Sequence, residues 1–197
     1  GAVGERDARR MIAVLDYGIG NLRSAEKAIQ RVGGDARLVS KPEDAEGAAG
    51  VVLPGVGAFG ACMRALCASG LDSVVRDAVA REVPFLGICV GMQMLYERSE
   101  EDPDVPGLGV LRGGIHRMRN AKTLPQMQWN RLARRGRSVL LAGLEEEPWV
   151  YFVHSYAAEP TDDVVATCSY GEDVTSVVER GRLLATQFHP EKSSGTG

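Results

Sequence analysis

From Met11 to Leu95, short apolar runs alternate with segments of helical periodicity, and this alternation restricts the fold more than any other feature of the chain. Met11-Ile12-Ala13-Val14-Leu15-Asp16 reads as a buried strand, and Tyr17-Gly18-Ile19-Gly20 as a turn. Asn21 is a candidate N-cap for a helix with apolar positions at Leu22, Ala25, Ala28, Ile29 and Val32. Ala36 to Val39 and Gly50 to Leu53 read as further short strands. Leu71, Val74, Val75, Ala78 and Val79 fall on one face of an amphipathic helix. Phe85 to Ile88 is the next strand, and a helical run follows from Val90. Continuously apolar strands separated by helices need cover on both faces. The expected fold class is therefore α/β: three layers, with a mostly parallel central sheet and helices on both faces.

After about residue 108 the texture changes. Short β-prone runs appear at 109–117, 138–142, 149–154, 164–169, 173–179 and 182–188, with few helical patterns between them. They predict antiparallel additions to the sheet in the C-terminal half. Glu100-Glu101-Asp102-Pro103-Asp104 reads as a solvated acidic loop.

The chain has 197 residues, 44% of them hydrophobic, enough for one sizeable domain. Met11 looks like a natural start, so residues 1–10 are expected to be an extension, native or introduced, ahead of a domain spanning 11–197. A net charge of −3 gives no pull toward nucleic acid or membrane. No apolar stretch approaches the ~20 residues that span a bilayer. Four cysteines without a CxxC pair point to a reducing, cytoplasmic setting. His116, His154 and His189 have no metal-ligand spacing, so neither a metal nor a cofactor is expected.

The chemistry concentrates on Cys89. In Pro84-Phe85-Leu86-Gly87-Ile88-Cys89-Val90-Gly91-Met92-Gln93, a strand ends at a thiol flanked as Gly-x-Cys-x-Gly, the nucleophile-elbow pattern with sulfur for oxygen. Further on, Gln187-Phe188-His189-Pro190-Glu191 offers an imidazole and a carboxylate two positions apart. Thiol, base and acid are the parts of a nucleophilic triad. A helix dipole contributes ~0.3–1 kcal/mol, less than one pKa step at about 1.36 kcal/mol, so it cannot by itself ionise a thiol of pKa about 8.5. A base is needed, and His189 is the candidate. In an extended chain held by Pro190, Glu191 shares a face with His189 and can orient it. Backbone N–H groups at Val90 could hold an oxyanion, each such donor being worth ~2.7–4 kcal/mol in the barrier. Plain core packing for Cys89 and a surface turn for the His-Pro-Glu segment are the competing readings.

Gly55-Val56-Gly57-Ala58-Phe59-Gly60 matches GxGxxG, the signature of a dinucleotide-binding oxidoreductase. The acid that such a site needs after the next strand is missing, because Glu82 precedes that strand. The turn at Gly55–Gly57 serves better as a second oxyanion donor facing Cys89.

Gly87–Gln93 with His189-Pro190-Glu191 resembles a class I, or triad, glutamine amidotransferase domain. Leu15–Ser24, Pro54–Phe59, Met127-Gln128-Trp129-Asn130, Tyr151–Tyr156 and Gln187–Ser193 extend the likeness to the glutaminase subunits of imidazole glycerol phosphate synthase, of histidine biosynthesis. The resemblance implies that Cys89 attacks the amide of L-glutamine, His189 relays protons and Glu191 orients it. It implies an oxyanion hole from Val90 and the Val56–Gly57 turn, and substrate contacts from Gln93, Ser155 and Tyr156. Ammonia would pass to a (β/α)8-barrel cyclase partner in a heterodimer, with little activity until that partner binds its ligand. Anthranilate- and guanylate-forming glutaminases are the alternatives within the class; Asp16-Tyr17-Gly18 and Tyr151–Tyr156 argue against them. Gln126 stands where many relatives have histidine, and the chain stops six residues past Glu191, where relatives continue into a closing helix.

The remaining candidates read more plainly. Cys62, Cys67 and Cys168 are expected to be small buried or half-buried groups. His116 reads as a surface residue, and His154 as a structural histidine or a support for the site. Arg131, Arg134, Arg135 and Arg137 read as a solvated loop or a contact for the cyclase or its phosphorylated substrate. Trp129 and Trp149 read as core or interface.

Overall fold

The computed structural model describes residues 10–20 and 22–197. The predicted cap at Asn21 and residues 1–9 of the predicted extension lie outside the described residues. The N-terminal half alternates as the periodicity predicts: β1 (Met11–Leu15), α1 (Leu22–Arg31), β2 (Asp35–Val39), β3 (Gly50–Gly55), α2 (Phe59–Ala68), α3 (Leu71–Ala80), β4 (Phe85–Cys89) and a single helical turn, α4 (Val90–Gln93). The C-terminal half is β-rich: β5 (Arg98–Ser99), β6 (Gly114–Arg117), β7 (Gln126–Arg131), β8 (Ala133–Arg134), β9 (Trp149–His154), β10 (Tyr156–Ala158), β11 (Val164–Ser169), β12 (Asp173–Arg180) and β13 (Leu183–Thr186).

Among the described residues, eight strands form the central sheet in the order β2-β1-β3-β4-β13-β12-β11-β8. The first five run parallel, and β12, β11 and β8 continue the sheet antiparallel. The α/β class with antiparallel additions is therefore observed, except that β13, expected as an antiparallel addition, pairs parallel with β4. The strand period of two sorts the helices to opposite faces. Leu86 and Ile88 of β4 share a surface hollow with Ala28 and Ile29 of α1. Val51 of β3, paired with Phe85 on the other face, meets Val74 and Ala78 of α3. A second core gathers Phe152, Phe188, Val174, Val177 and Leu141 in the C-terminal half. Two smaller sheets, β10-β6-β5 and β7-β9, stand apart from the central one, where additions to a single sheet were expected.

Several expectations are corrected. Residues 138–142 form a turn, not a strand. Ser138 Oγ accepts the Leu141 N–H at 3.0 Å, and Glu179 accepts the N–H groups of Val139 and Leu140 at 3.0 Å each. These side-chain acceptors replace the ladder that a strand would need. Of 109–117 only Gly114–Arg117 is a strand, and the last strand stops at Thr186. Cys67 is exposed, whereas Cys62 and Cys168 are buried. His116 is half-buried against Glu172 at 3.0 Å. The basic run is not merely solvated. Arg134 donates to the carbonyls of Leu141, Leu144, Glu145 and Glu146, and Arg135 pairs with Asp173 at 2.7 Å. The acidic loop is also engaged: Glu101 accepts the Phe59 N–H at 2.9 Å and Asp102 pairs with Arg64 at 3.0 Å. Trp129 and Trp149 lie partly exposed on the outer face of the β7–β9 ribbon, outside the core.

The glycines around the thiol have a packing reason. A Cβ on Gly91 would sit 1.9 Å from the Leu53 carbonyl oxygen, and one on Gly55 would sit 2.6 Å from the Gly91 nitrogen. The turn after β4 thus lies directly on the backbone of β3. Gly91→Ala is expected to destabilise the fold by at least about 2 kcal/mol, because backbone on both sides must move. Urea unfolding of the two proteins measures this.

Candidate active site

Parallel pairing sets the ends of three strands side by side. Gly55 is in register with Cys89, and Thr186 with Ile88. The segments leaving the carboxyl ends of β3, β4 and β13 therefore converge, where open α/β sheets place their ligand crevices. Residues from distant parts of the sequence meet there around a cavity of about 370 Å³. Val56, Gly57, Cys89, Val90, Gln93, Ser155, Tyr156 and His189 line it, all of them named from the sequence. Glu191 does not line this cavity; its carboxylate stands against the far nitrogen of His189.

Cys89 is 3% exposed and adopts φ 55°, ψ −114°. A non-glycine residue in such a conformation costs on the order of 1–3 kcal/mol, held here by the packing of Gly91 on β3. The elbow helix is a single turn, shorter than its sequence pattern suggested, so its dipole contributes even less to the thiol. Gln187 Nε2 lies 3.7 Å from Sγ, and the Val153 carbonyl 4.0 Å.

His189 is 1% exposed. Its backbone is fixed on both sides: its N–H donates to the Tyr151 carbonyl at 3.0 Å, and Ser193 Oγ donates to its carbonyl at 2.6 Å. Nδ1 bonds Glu191 Oε1 at 2.7 Å. The extended geometry expected around Pro190 is not found. Pro190 opens a 3-10 turn, Pro190–Lys192, which suits its fixed φ and still returns Glu191 to the ring. Burial works against a charged imidazole, but Cys89 and Glu191 outweigh it and raise the His189 pKa to about 9. Among the described residues, Nε2, the other ring nitrogen, has no hydrogen-bond partner.

Several residues at the site went unassigned from sequence alone. Gln187, at the sulfur, lies two positions before His189, so the period of a strand was the available signal. Glu101, Val153 and Lys192 line the cavity with no local pattern to mark them. Below the turn after β3, the Cys62 thiol donates to the Val56 carbonyl at 3.2 Å and Tyr17 Oη donates to the Pro54 carbonyl at 2.5 Å. Burial pushes the Cys62 thiol up to about 11, so it remains a donor at neutral pH. Among the described residues, no group of acidic, histidine or cysteine side chains is arranged to hold a metal.

His154 lines the cavity and is 7% exposed. Nδ1 donates to the Tyr156 carbonyl at 2.7 Å, and Nε2 lies 2.9 Å from Gln126 Oε1. Burial lowers its pKa to about 4; the Tyr156 carbonyl opposes that and the charge of His189 adds to it. An unfolded histidine takes up its proton near 6.5, so between pH 6.5 and 4 the unfolded chain binds the extra proton. His189 is the reverse: its contribution is complete below 6.5 and is lost as pH rises through about 9. Stability is expected to fall on both sides of roughly pH 6.5. His154→Asn should flatten the acid side by up to roughly 3 kcal/mol relative to the parent between pH 6.5 and 4. Denaturant midpoints across that range measure the difference.

Comparison with known proteins agrees with this geometry. Residues 13–197 match the family model for class-I glutamine amidotransferases. The imidazole glycerol phosphate synthase subunit HisH of Dehalococcoides mccartyi is 44% identical over 95% of this chain and 92% of its own length. The same subunit of a Synechococcus species is 47% identical over 94% and 88%, and that of Methanothermobacter thermautotrophicus 46% over 95% and 93%. A crystal structure of a glutamine amidotransferase superposes with a TM-score of 0.75 at 26% identity, covering 94% of this chain and 93% of that one. The shared fold extends to a putative GMP synthase subunit from Thermoplasma acidophilum, with a TM-score of 0.71 at 21% identity over 94% and 87%. The chain belongs to the class-I glutamine amidotransferases, and within them to the HisH subunits of imidazole glycerol phosphate synthase.

Proposed function

We propose that this glutaminase subunit hydrolyses L-glutamine through Cys89, His189 and Glu191. The observation that carries the assignment is a thiol on a strained elbow sharing one cavity with a histidine bonded at 2.7 Å to a buried carboxylate. Cys89 Sγ attacks the side-chain amide carbon, and its proton passes to His189. The tetrahedral oxyanion is held by the N–H of Val90 and by a donor from the Val56–Gly57 turn. His189 returns the proton to the leaving nitrogen, and ammonia departs from a glutamyl thioester. Water then attacks with His189 as base, releasing glutamate and restoring the thiol. Glu191 fixes the imidazole and stabilises its cation. Gln93, Ser155 and Tyr156 hold the amino-acid end of the substrate.

As a HisH subunit, the chain works with the other subunit of imidazole glycerol phosphate synthase in histidine biosynthesis. We assign that subunit as a (β/α)8-barrel cyclase that takes the ammonia within a heterodimer in the cytoplasm. Among the described residues, no helix is long and apolar enough to cross a membrane.

With the partner and its ligand present, Cys89→Ala is expected to reduce glutamate release to background. Glu191→Gln should lower kcat by roughly 10²-fold or more. Glutamate release in the reconstituted complex is the measurement, and release that survives Cys89→Ala overturns the mechanism.

A further inference from the structure

Gln187 has no part in the mechanism above, although its side chain touches the sulfur. It is fully buried, just past the end of β13, where its backbone N–H donates to the Ser176 carbonyl at 2.9 Å. Its carboxamide donates from Nε2 to Cys89 Sγ at 3.7 Å and accepts from Gln93 Nε2 at 3.0 Å. Gln93 Nε2 also donates to the Tyr156 carbonyl at 3.1 Å.

The two ends of a carboxamide are alike in size, so its hydrogen-bond partners decide its orientation. Here a backbone group decides both amides. The Tyr156 carbonyl can only accept, so Gln93 turns its Nε2 toward it. Gln187 answers that nitrogen with Oε1, which leaves Gln187 Nε2 against the sulfur. A fixed acceptor at one end of the chain thus delivers an N–H donor at the other.

The two states of Cys89 respond oppositely to these neighbours. A neutral thiol seeks an acceptor, and the Val153 carbonyl at 4.0 Å is one. A thiolate can only accept, and Gln187 supplies a donor. Hydrogen bonding to the charged form favours that form, more so where water is excluded. We propose that Gln187 is a catalytic residue of the glutaminase reaction: its amide N–H stabilises the Cys89 thiolate. Gln93 and the Tyr156 carbonyl are its positioning groups. Because Gln93 Nε2 is committed to this chain, the end of Gln93 left for substrate is its oxygen, an acceptor suited to the amino group of glutamine.

The inference rests on Cys89 being the nucleophile, and the test separates the two. Alkylation of Cys89 by iodoacetamide is followed between pH 5 and 10 by mass spectrometry of its peptide, in the parent protein, Gln187→Met and Gln187→Glu. The thiolate is the reacting species, so the midpoint of the profile reports its stabilisation. Gln187→Met, similar in volume but without a donor, is expected to move the midpoint up by about one to two pH units. Gln187→Glu, nearly isosteric and anionic at neutral pH, should move it at least as far. In the complex at pH 7, kcat for glutamine should fall by about tenfold to a hundredfold with KM little changed. A merely structural role would alter reactivity at every pH without shifting the midpoint. An unmoved midpoint in either variant, with cooperative thermal melting retained, overturns the role of Gln187 while leaving Cys89 as nucleophile. Survival of glutamine hydrolysis in Cys89→Ala overturns the nucleophile assignment itself. If Gln187→Met does not fold, the Glu variant decides.

Discussion

The approach of the Gly91 backbone to the Leu53 carbonyl underlies the rest of the site. Two peptide segments that would ordinarily be held apart by a side chain lie in contact. That contact seats the single turn of α4 on top of β3 and obliges Cys89 to leave its strand with positive φ. The same approach brings the Gly55–Gly57 turn beside the thiol. The cavity wall, the candidate nucleophile and the candidate oxyanion donors are thus set by one steric condition, met by glycines on both sides.

Burial then determines how the site's charges behave. His189 and His154 lie on one cavity, and burial opposes the charged form of each. His189 has a carboxylate and a sulfur to offset that penalty and becomes a stronger base. His154 meets the neutral Tyr156 carbonyl and Gln126 amide and a cationic neighbour, and remains uncharged. Neighbouring imidazoles with pKa values pushed apart hold distinct protonation states at neutral pH, so one can move protons while the other only shapes the wall.

Much of this was legible in the sequence because the signals were local. Apolar runs and helical spacing marked the parallel strands β1 to β4 and the inner face of α3, whereas β13, expected antiparallel, pairs parallel with β4, and Val32, expected on the apolar face of α1, is exposed beyond its end. Gly-x-Cys-x-Gly carried the elbow, since its glycines answer a clash only a few residues away. What stayed hidden depends on partners remote in sequence. The run at 138–142 has strand-like composition, but Ser138 and Glu179 capture its N–H groups. Glu101 looked solvated because nothing near it announces the Phe59 N–H, 42 residues earlier. The bend at Pro190 could not be told from an extended segment, as proline's φ suits both. Gln187 lay in plain view, yet its contact with the sulfur depends on an amide chain that closes through Gln93 and Tyr156.

The β9 strand carries a wider consequence. Val150, Phe152 and His154 point inward, while Trp149, Tyr151 and Val153 take the other face, paired across to Arg131, Trp129 and Met127. The β7–β9 ribbon is separate from the central sheet, so this register rests on the pairing of the two strands and on the bonds of Tyr151 to the His189 N–H and to Ser193 Oγ. A slip of one residue would exchange the faces, opening the second core and withdrawing His154, Ser155 and Tyr156 from the cavity wall in the same step. Correct pairing of a small ribbon is therefore a folding checkpoint: a chain that misaligns it loses the second core and the wall of the candidate site together.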